Sequence, residues 1–170
     1  KGLAENGHII NVDIPQSQID MYQPGILNTV SHLGKVWGYP RAFSTKALFM
    51  NCDLLDEAGV ACEGPETWDE LYSMAEAVTN NVPGVAGIGL TGKDFDNTMH
   101  QFLNYLYSNG GQVIDPDTNT ITLNSSNTVE ALAFYGKLAN VAQEGPLAYE
   151  RSQLRDLLND KKIAMYIDGP

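Results

Sequence analysis

Short apolar, β-branched or aromatic runs alternate along this chain with longer stretches of helical period, and that alternation allows few folds. The runs fall at Val36 to Pro40, Lys46 to Met50, Val85 to Leu90, Ile121 to Leu123 and Ile163 to Ile167, and they read as strands. Thr67-Trp68-Asp69-Glu70 has the form of a capping box, in which the Thr67 hydroxyl and the Glu70 carboxylate satisfy the first free backbone N–H groups of a helix. Behind it Trp68, Leu71, Tyr72, Ala75 and Val78 share one helical face. A second predicted helix runs over Asp96 to Ser108, turns Met99, Phe102, Leu103 and Leu106 inward, and stops at Gly110-Gly111. A third begins near Asn127 with Glu130 in the box position and buries Ala131, Phe134, Tyr135, Leu138 and Val141. A fourth spans roughly Arg151 to Asn159, with Leu154, Leu157 and Leu158 inward. Strands separated by helices of this length predict an α/β fold with a mostly parallel sheet covered by helices on both faces.

Residues 1 to 35 do not share this pattern, because Pro15, Pro24 and several Gly and Asn interrupt any period. They are read as a connection or part of a neighbouring lobe, with the α/β domain occupying 36 to 170. The whole chain has 170 residues, 43% apolar and 18% charged, enough for about one core. No period of 20 to 50 residues repeats, which excludes solenoids and propellers. Against 21 Asp and Glu stand 10 Lys and Arg, a net charge of -11. Only Lys161-Lys162 puts two cations side by side, so nucleic acid and anionic membranes are not expected partners. No run approaches the ~18 apolar residues of a membrane span. The chain starts at Lys1 without an initiator Met or a charged-then-apolar leader, so a signal peptide is absent, cleaved or outside this sequence. Cys52 and Cys62 are too few for a disulfide framework or a zinc site; two free or buried thiols are favoured over a single disulfide.

Most motifs with chemical potential fail on context. Gly87-Ile88-Gly89-Leu90-Thr91-Gly92 spells the dinucleotide pattern, but Asn80 to Gly84 reads as a turn where a strand is required and Ile88 and Leu90 are themselves the strand. Small residues packed closely under a helix explain it better. Asp115-Pro116-Asp117-Thr118-Asn119 opens like a calcium loop, yet Thr120 replaces the required Gly and Ser126 the required Glu. A hairpin turn between Gln112 to Ile114 and Thr120 to Leu123 is expected there. There is no G-x-S-x-G, and His8, His32 and His100 lie in unrelated segments without ligand spacing, so neither nucleophilic catalysis, a metal nor a cofactor is expected. The carboxylate pairs Asp94/Asp96 and Asp56/Glu57 read as helix caps or solvated faces, and Asn124-Ser125-Ser126 is formally a glycosylation acceptor.

One signal remains. Tyr39, Phe43, Phe95, Tyr107, Tyr149 and Tyr166 lie near segment ends, interleaved with Arg41, Ser44, Thr45, Asp94, Asp96, Asn97, His100 and Arg151. Strand and helix ends form the ligand-binding rim of α/β sheets, and a neutral polyol needs a flat aromatic face for its C–H surface and planar polar groups for its hydroxyls.

The order of motifs also resembles a known family. Gly34-Lys35-Val36-Trp37-Gly38-Tyr39-Pro40, then Leu48-Phe49-Met50-Asn51-Cys52-Asp53-Leu54-Leu55 and Glu57-Ala58-Gly59, are similar to the G-K-x-Y-G-x-P and Y-N-K-D-L-F-x-E-A-G stretches of extracellular solute-binding proteins of the maltose-binding type. Pro65-Glu66-Thr67-Trp68-Asp69-Glu70-Leu71, Gly110-Gly111, and Ile163-Ala164-Met165 through Gly169-Pro170 match further motifs in the same order, so the similarity covers about residues 25 to 170. It implies a lobe of the periplasmic-binding-protein type II fold, in an incomplete two-lobe protein: mainly the second lobe, with residues 1 to 35 from the first lobe or its connection. Family members are receptors of ABC importers, extracytoplasmic in the periplasm or as cell-surface lipoproteins. They close two hinged lobes on a small solute and present it to membrane permease subunits, as monomers and without a catalytic constellation.

Carried over by position, Arg41 to Thr45, with Ser44 among them, occupy a cleft-lining turn, His100 a place where a tyrosine meets the sugar, and Tyr149 or Glu150 a second such place; Asp94, Asp96 and Arg151, from the rim pattern above, complete the expected ligand set. Ser44 in place of a carboxylate, and His100 in place of tyrosine, depart from a maltose pattern. The expected function is therefore solute binding for import, with a small carbohydrate as ligand. The alternatives are an α/β enzyme acting on sugars or nucleotides, a receptor for a non-sugar solute, or an interaction module without a small ligand.

Overall fold

The computed structural model describes residues 1–169; Pro170, which completes the last motif above, lies outside the described residues. The chain divides into two compact units after Thr45, later than the expected division after residue 35.

The first unit holds three short helices, α1 (Gly2–Glu5), α2 (Gln16–Ile19) and α3 (Pro24–Thr29), and a hairpin of β1 (Ser31–His32) and β2 (Lys35–Val36). Its two-residue turn puts Leu33 at φ 51° and Gly34 at φ 70°, the left-handed pair that matches the twist of a tight hairpin. The strand expected from Val36 to Pro40 thus survives only at Val36: beyond the Trp37 N–H, which donates to the Val30 carbonyl at 2.9 Å, the backbone is irregular to residue 46.

The second unit is built on three strands, β3 (Ala47–Met50), β4 (Ala86–Gly89) and β7 (Ile163–Asp168), in the order β3-β7-β4. β4 runs parallel to β7, but β3 runs antiparallel, with Ala47 opposite Asp168 and Met50 opposite Met165. The sheet is mixed where a mostly parallel one was expected. Side-chain period fixes which face of a strand is buried and carries nothing about strand direction. β5 (Ile114–Asp115) and β6 (Thr120–Ile121) form a separate hairpin, and the Asp115 carboxylate accepts the Asp117 and Thr118 N–H groups at 2.8 and 3.3 Å. The calcium-like loop is therefore a turn.

Around the sheet lie α4 (Cys52–Glu57), α5 (Trp68–Asn81), α6 (Asp96–Ser108), α7 (Ser126–Leu138) and α8 (Arg151–Asn159). Both halves of the Thr67/Glu70 capping box are formed. α6 ends where expected, with Gly110 at φ 69°. α7 starts near Asn127 as expected, but its cap is Ser125, which accepts the Thr128 N–H, so Glu130 is not in the box position and instead accepts from Asn109 at 3.1 Å. α4 has no counterpart in the periodicity, since six residues are too few to establish one. A further correction concerns the cysteines, which form a disulfide with Cα atoms 5.2 Å apart. It ties the first residue of α4 to the connection that leads to α5, and in the chain-entropy picture a loop of this length contributes roughly 3 kcal/mol by restricting the unfolded chain.

Leu55, Val78, Ala75, Ile88, Leu90, Leu138 and Met165 form the main core. Trp68 and Tyr72, expected inside, are half-buried; Trp68 stacks on Phe134 at 4.6 Å and donates its indole N–H to Ser108 at 3.1 Å. Met99, also expected inside, is exposed. Glycines 87 and 89 lie within β4, as the close-packing reading requires. A Cβ on Gly87 would lie 2.0 Å from the Ala75 carbonyl oxygen of α5, so the glycine pattern serves packing of helix on strand.

Candidate functional site

In the second unit the C-terminal ends of β4 and β7 and the N-termini of α6 and α8 meet, the rim where α/β sheets bind ligands. The segment after β4, Leu90 to Phe95, runs beside the segment before α8, Gly145 to Glu150. The Lys93 N–H donates to the Tyr149 carbonyl at 3.3 Å, and its ammonium lies 3.6 Å from the Glu150 carboxylate. Any Cβ on Gly92 would lie 2.9 Å from the Pro146 carbonyl oxygen, so the backbones touch closely enough to require glycine there.

Four of the sequence-predicted residues lie in or next to these two segments. Asp94 is exposed in the first segment, Asp96 opens α6, Tyr149 ends the second segment and Arg151 opens α8. His100 is exposed on α6 one turn beyond Asp96. Tyr149 packs partly against Leu154, Ile163 and Tyr166. Tyr166, placed at the rim in the aromatic pattern, is 2% exposed and belongs to that small core. Arg41, Ser44 and Thr45 lie in the first unit, exposed in its irregular last segment, where Arg41, Phe43 and Tyr22 line an open groove of about 330 Å³.

Three further residues matter at the rim of the second unit. Phe95, 54% exposed between two aspartates, lines with Gly92, Lys93, Asp94, Met99 and Phe102 an open groove of about 540 Å³. An aromatic ring flanked by carboxylates was the signal available for it. Asp168, at the end of β7, is buried and takes three cations: Arg151 and Arg155 at 2.5 Å each and Lys46 at 3.6 Å. Both guanidinium groups also donate to the Gly169 carbonyl. Burial works to raise the Asp168 carboxyl, but hydrogen bonds from Arg155, Gly169 and Arg151 outweigh it and hold the group below the usual carboxylate range. The third residue is Tyr135, whose hydroxyl burial pushes up to about 12 despite its hydrogen bond to Thr91.

Nothing in this arrangement is a nucleophile beside a base. Among the described residues no group of three His, Cys, Asp or Glu could hold a metal ion, and no helix is long and apolar enough to cross a membrane. What the rim presents is acceptors, guanidinium and ammonium donors and an exposed ring.

The family model of the bacterial extracellular solute-binding proteins matches residues 3–170, and the chain belongs to that family, whose members are binding proteins. Its fold is that of a periplasmic-binding-protein type II lobe. A binding protein of Brucella abortus (strain 2308) is 29% identical over 139 residues, 81% of this chain. This chain spans 33% of that relative's length. Among solved structures, the ABC transporter solute-binding protein of Thermotoga lettingae bound with α-D-tagatose superposes with a TM-score of 0.84 at 25% identity, over 99% of this chain and 44% of its own. The GacH receptor of Streptomyces glaucescens, solved unliganded and with acarbose, has a TM-score of 0.82 at 26% identity, over 99% of this chain and 42% of its own.

Proposed function

We propose that this chain supplies one binding face of an ABC-importer receptor that holds a small carbohydrate between two lobes and delivers it to membrane permease subunits outside the cytoplasm, as a monomer. Residues 46–170 are the second lobe, and residues 1–45 belong to the first lobe or its connection. The observation that supports this reading is the contact between the Leu90–Phe95 and Gly145–Glu150 segments, in or beside which Asp94, Asp96, Tyr149 and Arg151 lie along the chain. Asp94 and Asp96 accept sugar hydroxyls, Arg151 donates, and Phe95 and Tyr149 offer ring faces to the sugar's C–H surface. Arg41, Ser44, Thr45 and His100 are the remaining ligand contacts. Such a site binds by hydrogen bonds and stacking that strengthen as water leaves, and no bond of the solute changes.

The test is thermal unfolding of the receptor with a panel of mono- and oligosaccharides, including tagatose, maltose and arabino-oligosaccharides, alongside amino acids and oligopeptides. At a sugar concentration ~100 times Kd, the native state gains about 2.7 kcal/mol. The expected outcome is a raised unfolding midpoint with at least one sugar and recovery of that sugar unchanged. Stabilisation by a peptide or amino acid alone, or conversion of the sugar to product, contradicts the proposal.

A further inference from the structure

Pairing between β4 and β7 ends at Gly89 opposite Tyr166, yet the next backbone groups are buried and all find partners from side chains. Gln143 faces Leu90 with its amide laid like a peptide: its Oε1 accepts the Leu90 N–H at 3.0 Å, and its Nε2 donates to the Leu90 carbonyl at 2.6 Å. Gln101, from α6, does the same one residue away. Its Oε1 accepts the Thr91 N–H at 2.8 Å and the Thr91 hydroxyl at 3.0 Å, and its Nε2 reaches the Gly89 carbonyl at 3.3 Å. The Tyr135 hydroxyl, from α7, directs its hydrogen to the Thr91 carbonyl at 2.6 Å and to Gln101 Oε1 at 2.7 Å. Gln101 and Gln143 are 4% and 7% exposed and Thr91 is 2% exposed, so no solvent competes for these bonds, and an unmade one would leave a buried polar group without a partner.

From these contacts we infer that Gln101, Gln143 and Tyr135 are positioning residues for the ligand rim. Beyond the parallel bridge of Ile88 with Ala142 they stand in for further strand pairing at the end of β4, and they fix the direction in which Gly92 to Phe95 leaves the sheet. An amide is the side chain suited to this, because it carries one donor and one acceptor in the arrangement of a peptide group. Apolar side chains of similar size would fill the same volume and leave five backbone groups without partners. The consequence for binding rests on the function proposed above, since the segment so held carries Asp94 and Phe95; the geometric role does not.

Hydrogen exchange on the chain separates this role from general stability. In Gln101→Met the amides of Thr91 and Lys93, bonded to Gln101 and to the Tyr149 carbonyl, are expected to exchange about 10-fold faster or more, while those of β7 change only as far as global stability does. Gln101→Glu keeps the acceptor but turns an oxygen on the Gly89 carbonyl where Nε2 donates, and is expected to speed the same two amides. Val78→Ala, a core variant remote from the rim, loses global stability without singling out Thr91 and Lys93. Matching exchange patterns in Gln101→Met and Val78→Ala would overturn the inference, as would unprotected Thr91 and Lys93 amides in the parent chain. No sugar is needed, so failure to find a carbohydrate ligand counts against the proposed function and leaves this result intact.

Discussion

Gly87→Ala is expected to destabilise the second unit by at least about 3 kcal/mol, the upper end of what overpacking costs, and to lower its thermal midpoint by roughly 6–12 °C. The added Cβ would stand 2.0 Å from the oxygen and 2.4 Å from the carbonyl carbon and Cα of Ala75. Those atoms are helix backbone, held by the ladder of α5 and unable to rotate aside as a side-chain tip would. Relief requires α5 to lift from β4, opening the contact between Ala75, Val78 and Ile88. Gly136, in the interior of α7 with nothing near its missing Cβ, supplies the control: Gly136→Ala should raise the midpoint slightly, because glycine costs a helix about 0.5–1 kcal/mol relative to alanine. Circular dichroism melts decide both, and an unchanged midpoint in Gly87→Ala would mean that α5 is not seated on β4.

Asp168→Ala is expected to cost about 3 kcal/mol through the charges left behind. Removing one partner of a buried ion pair typically costs about 3–5 kcal/mol; the lower end applies because Lys46, Arg151 and Arg155 keep 26%, 27% and 45% of their side-chain surface exposed. The same carboxylate makes stability depend on pH. Its pKa is held below the ordinary value in the folded state, so its contribution is complete above the unfolded-state value of about 3.9 and is lost as pH falls through the lower folded value. Urea melts at pH 7 and pH 3 should show a large gap between parent and variant at neutral pH and a narrower one in acid. A constant gap would mean that Asp168 is not held ionised by its cations.

Which parts of this molecule could be read before its coordinates follows from the range of the interactions. Thr67 and Glu70 are three residues apart, and their box formed as expected. The packing role of Gly87 was legible because a strand pattern ran through it. The direction of β3 depends on Ala47 meeting Asp168 across the whole second unit, and no local period encodes that. Two cysteines ten residues apart are compatible with either thiols or a bridge, and the chain reversal between α4 and α5 decided for the bridge. The positions of Asp94, Asp96, Tyr149 and Arg151 at or near the starts of α6 and α8 were legible because both helices carry a local period. The amide of Gln143 was not, since its partner Leu90 lies 53 residues away and a glutamine in a connection carries no signal of its own. Asp168 was hidden because the expected strand stopped at Ile167, one residue before it, and the three cations that converge on it come from elsewhere in the chain.

The most direct test of the binding face is calorimetric titration of the receptor and its Asp94→Ala variant with a sugar that stabilises the parent. Asp94 is exposed, so its removal leaves packing intact, and the loss of a charged acceptor for a sugar hydroxyl is worth about 1.5–3 kcal/mol. The expected result is one-to-one binding by the parent and about 10-fold or more weaker binding by the variant, with the same unfolding midpoint for both in the absence of sugar. Superimposable isotherms for the two proteins would contradict the placement of the sugar at this rim.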